Sequence, residues 1–275
     1  MTERVVLLGE GIGYSASPAI HNAAFAALGM PWRYELRDIP AAALLAVFAE
    51  LREGSLRGAN ITRPHKVRVL EFTDELARSA DRVGAVNTIV VRDGRLIGHN
   101  TDVPAIAEEL AILAGAAHAT PGRSAAAHSG SAVEGPFRSV VILGRGGGAR
   151  AVARVLLDSR ASVELVGRDR WADLPALLES ADLLVNATPV GTASDESPLD
   201  ASLLRPDLAV LDLVYRPSPT RLVREARAVG ARARGGAGVL LRQAALSFEL
   251  WAAGPAPLAA MRRALEAELG VSPDA

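Results

Sequence analysis

Four apolar residues, Val140-Val141-Ile142-Leu143, run without a break into Gly144-Arg145-Gly146-Gly147-Gly148-Ala149, and an amphipathic helical pattern continues over 149–157. A buried strand that turns through glycines into a helix begins a strand–helix–strand unit with parallel pairing, and it restricts the architecture more than any other stretch of this chain. In the pattern G-x-G-x-x-A, Gly144 permits the tight turn and Gly146 lets the backbone approach a pyrophosphate. Ala149 keeps the helix close to the sheet. Amides at the helix N-terminus receive phosphates, so Gly147 and Gly148 complete a candidate dinucleotide loop.

The strand at 162–166 ends in Gly167-Arg168-Asp169. A carboxylate at this tip suits the ribose diol of NAD, whereas an arginine suits the 2′-phosphate of NADP. Arg168 favours NADP. Asp169 leaves NAD open, since it takes the diol or repels the phosphate. Further strands read at 182–186 and 208–213, with one brief helix at 171–179. From 239 to 269 the chain is helical, with a restart at Pro257.

Residues 1–103 alternate strands and helices, which predicts an α/β layer with parallel pairing. Strands read at 5–9, 32–36, 58–62 and 87–91. A helix over 18–28 takes Ser17 as its N-cap and Pro18 at its first position. A second covers 41–52, and a helical turn covers 66–72. Asp93-Gly94 is a hairpin-type turn. Residues 114–136 are mostly Ala, Gly, Ser, His, Thr and Pro without apolar periodicity, and read as a flexible surface loop. The expected organisation is a first domain at 1–103, a Rossmann-type domain at 104–237 and C-terminal helices at 238–275.

Composition removes several functions. The chain has no cysteine, so thiolate zinc sites, iron–sulfur clusters and a cysteine nucleophile are excluded. A net charge of -1 gives no basic footprint for nucleic acid. No apolar stretch reaches spanning length, so no membrane partner and a cytoplasmic location are expected, as a monomer or homodimer. Of the 30 basic residues, only Lys66 is lysine. Arginine does not release its proton at usable pH, whereas lysine does. From composition alone, Lys66 is a solvated leftover or the one place where lysine chemistry is needed.

Four polar clusters occupy turn positions in the first hundred residues: Ser15-Ala16-Ser17-Pro18 with His21-Asn22, Asn60 to Lys66, Gly84 to Thr88, and Asn100-Thr101-Asp102. Each alone reads as a cap or turn. Together they offer hydroxyls, amides, one lysine and one carboxylate, which suits a small polyol carrying a carboxylate. The ordered patterns S-x-S-P-x-x-H-N, N-x-T-x-P-x-K, G-A-V-N-T and N-T-D resemble the shikimate dehydrogenase family. So do the cofactor loop at 144–149, N-A-T-P-V-G at 186–191, D-L-V-Y-x-P-x-x-T at 212–220 and Q-A-A-x-x-F at 243–248.

The resemblance implies a two-domain α/β enzyme whose C-terminal helices return to the substrate domain, and which interconverts 3-dehydroshikimate and shikimate with NADP. It implies Lys66 and Asp102 as the catalytic pair and Ser15 and Ser17 on the substrate carboxylate. Thr62, Asn87, Tyr215 and Gln243 would meet ring hydroxyls. Thr188 and Gly238 would join the glycine loop and Arg168 on the cofactor. Tyr14 stands where the family carries a histidine after a proline, and Gly167-Arg168-Asp169 replaces its Asn-Arg-Thr. The competing readings are a paralogue acting on quinate or an aminated shikimate analogue with NAD or NADP, and a non-catalytic sensor of a shikimate-like ligand.

Overall fold

The structure is a computed structural model and describes residues 2–115 and 135–270. Most of the expected loop at 114–136 lies outside the described residues. Contacts divide the chain into two units, Met1–Val103 with Ala237–Ala275, and Pro104–Gly236.

The first unit opens with β1 (Glu3–Gly9), α1 (Ser17–Ala27), β2 (Trp32–Asp38), α2 (Leu44–Arg52) and β3 (Gly58–Ile61). It continues with β4 (Glu75–Leu76), α3 (Arg78–Asp81), β5 (Thr88–Arg92) and β6 (Arg95–His99). Strand order in the six-stranded sheet is β2-β1-β3-β5-β6-β4. β1 lies parallel to β2 and β3, but β5 runs antiparallel to both β3 and β6. The expectation of parallel pairing is thereby corrected to a mixed sheet. The β5–β6 direction follows from the expected hairpin turn at Asp93-Gly94, with φ of 50° and 73°. A two-residue turn with both φ positive joins only antiparallel neighbours.

Two local readings also change. α1 begins at Ser17 itself, with Ala16 already helical at its N-cap (φ -81°, ψ -5°). Ser17 therefore does not cap; its N–H donates to Ser15 Oγ at 3.3 Å, so the local acceptor sits two residues earlier. The turn expected from Lys66 is a 3₁₀ segment starting at Arg68.

α4 (Asp102–Leu113) leads into the second unit, followed by β7 (Ser139–Leu143), α5 (Gly147–Asp158), β8 (Ser162–Val166) and α6 (Leu174–Glu179). Then come β9 (Leu183–Asn186), β10 (Ala209–Asp212), α7 (Arg221–Ala228) and β11 (Ala233–Arg234). All five strands are parallel, in the order β8-β7-β9-β10-β11. The chain moves from β7 outward to β8, then returns past β7 to β9. Between β7 and β9 lies the topological switch point, where sheets of this kind bind ligands beyond their carboxyl ends. Val141, Leu143, Leu184, Val210, Leu222 and Val223 fill the core on one side.

α8 (Ala237–Ala252) and α9 (Leu258–Leu269) return to the first unit, where both pack on α1. Phe248, Trp251, Met261 and Leu265 are buried, and full burial of side chains this size contributes about 2–3 kcal/mol each. Trp251 packs directly against Gly58, where a Cβ would stand 2.7 Å from the indole Cδ1. Its Nε1 donates to the Ile89 carbonyl at 2.9 Å, so the helix is pinned to two strands at once.

Beside Trp251, the fully buried His21 stacks on Tyr34 with ring centroids 4.3 Å apart. Neither ring nitrogen makes a hydrogen bond among the described residues. The imidazole is packed as a neutral aromatic, and burial pushes its pKa down to about 3. The unfolded chain takes up a proton below pH 6.5 that the folded unit refuses until about 3. Stability of the first unit should therefore fall with acid by about 1.4 kcal/mol per pH unit across that window. His21→Phe should flatten this dependence in urea unfolding at pH 7 and 5. Equal pH dependence in both proteins would contradict it.

Candidate active site

The mixed sheet brings three polar clusters to one end. Because β5 is antiparallel to its neighbours, the C-terminal ends of β3 and β6 meet the N-terminal end of β5, with Asn60 opposite Thr88 and Thr88 opposite His99. The 60–66, 84–88 and 100–102 segments all leave from there. Thr62 N–H donates to Leu8 O at 2.9 Å, and Val86 N–H donates to Lys66 O at 2.8 Å, so the lysine backbone is fastened to the next cluster. His65 is buried with its Nε2 2.8 Å from the Ile39 carbonyl. Asn100 Oδ1 accepts from the amides of Asp102 (3.1 Å) and Val103 (3.3 Å), which caps α4 and sets Asp102 in its first turn. A carboxylate there is favoured by the helix dipole.

Lys66 Nζ donates to Asp102 Oδ2 at 2.6 Å, with the two side chains 18% and 11% exposed. The other oxygen, Oδ1, accepts from Asn87 Nδ2 at 2.9 Å. The orientation of the Asn87 amide follows from its neighbours. The backbone N–H of Thr101 only donates, and it lies 2.8 Å from Asn87 Oδ1, so the opposite end must be the NH₂ that faces Asp102. The second amide hydrogen goes to Thr101 Oγ1 at 2.9 Å. Asn87 is 2% exposed and both its donors are engaged inside the protein.

Ser15 is half-buried and Ser17 is 6% exposed, side by side where α1 begins. Thr62 is half-buried at the end of β3. Gln243 lies on α8 with its Nε2 on the Leu240 carbonyl at 2.9 Å. Tyr215 and Thr188 fall in the second unit, and Gly238 falls in the first turn of α8 in the first unit. The expected site residues thus divide between the two units. Thr88, the last residue of the G-A-V-N-T motif, and Ser247, which motif spacing did not single out, join this network. Thr88 and Ser247 are both fully buried, with Thr88 Oγ1 2.9 Å from Asn87 Oδ1 and 2.8 Å from Ser247 Oγ. Ser247 looks like any helix serine, and the only sequence signal for it is a hydroxyl on an otherwise apolar helical face.

In the second unit Gly144 follows β7 at φ 108°, where a Cβ would stand 3.0 Å from the Ala187 carbonyl oxygen. Gly146 is the N-cap of α5, Gly147 and Gly148 form its first turn, and Ala149 is fully buried. At the tip of β8, Arg145 and Asp169 form an ion pair of 3.1 Å directly over Gly167, where a Cβ would lie 2.7 Å from the Arg145 Cζ. Arg168 is exposed beside them and makes no hydrogen bond or ion pair among the described residues. Thr188 Oγ1 donates to Asn186 Oδ1 at 2.7 Å, and Asn186 Nδ2 donates to the buried Asp212 at 2.9 Å.

Residues 7–89 match the sequence pattern of the shikimate dehydrogenase substrate binding domain. A shikimate dehydrogenase (NADP(+)) from Symbiobacterium thermophilum is 38% identical, over 97% of this chain and 95% of its own. The chain belongs to the shikimate dehydrogenase family. A solved shikimate dehydrogenase from Thermus thermophilus, in complex with NADP(H) and shikimate, superposes with a TM-score of 0.79 and 35% identity over 97% of this chain and all of its own. The same architecture also serves another substrate, since a 5-ketofructose reductase of Gluconobacter superposes with a TM-score of 0.75 at 26% identity, over 97% and 99% of the two chains. Family membership therefore leaves the substrate to be argued from side chains. No helix among the described residues is long and apolar enough to cross a membrane.

Asp212 ends β10 and accepts from Asn186, Thr220 Oγ1 (2.7 Å) and Val214 N–H (3.0 Å). Burial nevertheless outweighs these donors and pushes its pKa up to about 6. The folded unit then holds a proton that the unfolded chain releases above 3.8. Stability of the second unit should rise as pH falls from above 6 towards 4, opposite in sign to the first unit. Hydrogen exchange in β7, β9 and β10 should slow between pH 7 and 5 after correction for intrinsic rates, and Asp212→Asn should remove the difference. Unchanged protection would refute the assignment.

Proposed function

We propose that this chain catalyses the reversible, NADP-dependent reduction of 3-dehydroshikimate to shikimate. The carrying observation is the 2.6 Å pair of Lys66 and Asp102, built from the one lysine in the chain and held from behind by Asn87. Reduction of a ring ketone builds negative charge on its oxygen. An ammonium in reach stabilises that charge and passes its proton to the oxygen. In the oxidising direction the neutral amine takes the hydroxyl proton. Asp102 keeps the amine aimed and balances its charge. An arginine at position 66 retains the charge and loses the transferable proton.

Ser15 and Ser17 provide hydroxyls for the substrate carboxylate, and Thr62, Gln243 and Tyr215 provide hydrogen bonds to ring hydroxyls. Asn87 has both amide hydrogens engaged, so it enters this reading first through Asp102 and meets a ring hydroxyl only by sharing one of them.

The second unit suits a dinucleotide. The Gly144 turn lies tight against Ala187, and α5 opens with Gly147 and Gly148 amides that suit phosphates. Gly146, Ala149, Thr188 and Gly238 complete the proposed contacts. At the tip of β8 the Asp169 carboxylate is neutralised by Arg145, which leaves Arg168 as the net charge and favours a 2′-phosphate over a bare diol. The nicotinamide, when bound, supplies or accepts the hydride.

Shikimate or quinate mixed with NADP or NAD, followed at the nicotinamide absorbance, tests the whole reading. Shikimate with NADP should turn over at least tenfold more efficiently than any other pair. A preference for quinate would replace the substrate, and four flat traces with ligand binding intact would favour the sensor. Lys66→Arg and Lys66→Ala should each lower kcat by about 10²–10⁴-fold. Shikimate affinity, read by calorimetry, should stay within about threefold. Near-normal turnover in the arginine variant would exclude the proton-transfer role.

A further inference from the structure

We propose that Ser247, on the C-terminal helix α8, is a positioning residue for the Lys66–Asp102 pair. The inference rests on that reading of the pair.

The argument is a count of protons. Thr101 Oγ1 accepts a hydrogen from Asn87 Nδ2 at 2.9 Å, so one of its lone pairs faces the amide and its single proton must point elsewhere. Three acceptors are in range, Ser247 Oγ at 3.1 Å, the oxygen of the same Asn87 amide at 3.2 Å and, at the outer limit of a hydrogen bond, Thr88 Oγ1 at 3.5 Å. The second would require Thr101 to accept from and donate to one planar amide, which bends both bonds away from linearity. Asn87 Oδ1 is moreover already served by the Thr101 N–H at 2.8 Å. The Thr101 proton therefore belongs to Ser247. Ser247 in turn donates to the Gln243 carbonyl one helical turn back, at 2.9 Å.

A head-to-tail chain results, from Asn87 NH₂ through the Thr101 hydroxyl and the Ser247 hydroxyl to the Gln243 carbonyl. Its other amide hydrogen ends on Asp102. The remaining lone pair of Ser247 accepts the Thr88 hydroxyl proton at 2.8 Å, and Asn60 Nδ2, 3.0 Å from Thr88 Oγ1, donates to that hydroxyl in turn. Asn60 is itself anchored, since its Oδ1 accepts from Tyr34 OH at 2.8 Å. All the hydroxyls and amides of this group are buried, so water does not substitute for a lost member without a cavity opening. Without Ser247, the Thr101 hydroxyl turns onto Asn87 Oδ1, the amide tilts, and Asp102 Oδ1 loses its fixed donor. Lys66 then faces a carboxylate free to rotate.

Two readouts test this on the full chain. The first is steady-state kinetics of Ser247→Ala and Ser247→Cys, the latter filling the space with a sulfur that is a poor hydrogen-bond partner. Both should lose about tenfold in kcat with KM within twofold, and Ser247→Thr, which restores the hydroxyl, should recover most of it. The second uses the single lysine. Acetylation of Lys66 by an activated ester, followed by mass spectrometry of its peptide, should run at least threefold faster in Ser247→Ala and Ser247→Cys than in the wild type, because a loosened partner frees the amine. The proposal is overturned if acetylation at Lys66 is unchanged in both variants, or if kcat and KM move together in proportion to lost stability. If the wild-type chain oxidises neither shikimate nor quinate, the functional reading fails, and the acetylation rates alone decide the positioning role.

Discussion

A carboxylate held at both oxygens by different donors is the constraint on which the first unit is organised. An isolated, part-exposed ion pair between flexible side chains is worth little and swivels freely. Here Asp102 gives Oδ2 to Lys66 and Oδ1 to a buried amide that faces only one way, because the Thr101 N–H is a donor that cannot become an acceptor. The Asn100 cap sets the backbone of Asp102, and the Val86 amide sets the backbone of Lys66. The direction of the pair is thus fixed by main-chain hydrogens, which do not rotate away.

The antiparallel insertion of β5 makes this geometry possible. In an all-parallel sheet the segments after β3 and before β5 would leave from opposite ends, and Asn87 would stand a strand's length from Lys66. The turn at Asp93-Gly94 reverses the chain and returns β6 to the same end as β3, carrying Asn100, Thr101 and Asp102 with it. Two residues in a hairpin therefore do as much for the pair as any residue that touches it.

What the amino-acid sequence discloses follows from how local each signal is. The strand–glycine–helix of the second unit is legible because its meaning is carried within twenty or so neighbouring residues. Lys66 is legible through the arginine bias and Asp102 through its motif. Ser17 does not cap α1, because Ala16 is already helical and cap preference does not report backbone angles. The Asp93-Gly94 turn announces the antiparallel β5–β6 pair, whereas the antiparallel pairing of β5 with β3 joins segments distant in the sequence and has no local signal. Ser247 and Asn60 meet across most of the chain, and neither has a spacing pattern that announces the contact. The Arg145–Asp169 pair is hidden for another reason: it needs an absent side chain at Gly167.

The discontinuous first unit has a consequence for how the protein is made. Residues 1–103 leave the ribosome early, with the Lys66 and Asp102 segments already present, yet the indole that covers Gly58 and the hydroxyl that serves Thr101 arrive on α8. During the whole synthesis of the second unit, one face of the first sheet waits for its cover. Until α8 emerges, Phe25 lacks its ring contact with Phe248 and the backbone carbonyl of Ile89 lacks the indole N–H of Trp251. Completion of the packing around Lys66 and Asp102 is thereby tied to synthesis of α8, so a chain broken off after the second unit carries both residues without the hydroxyl that serves Thr101.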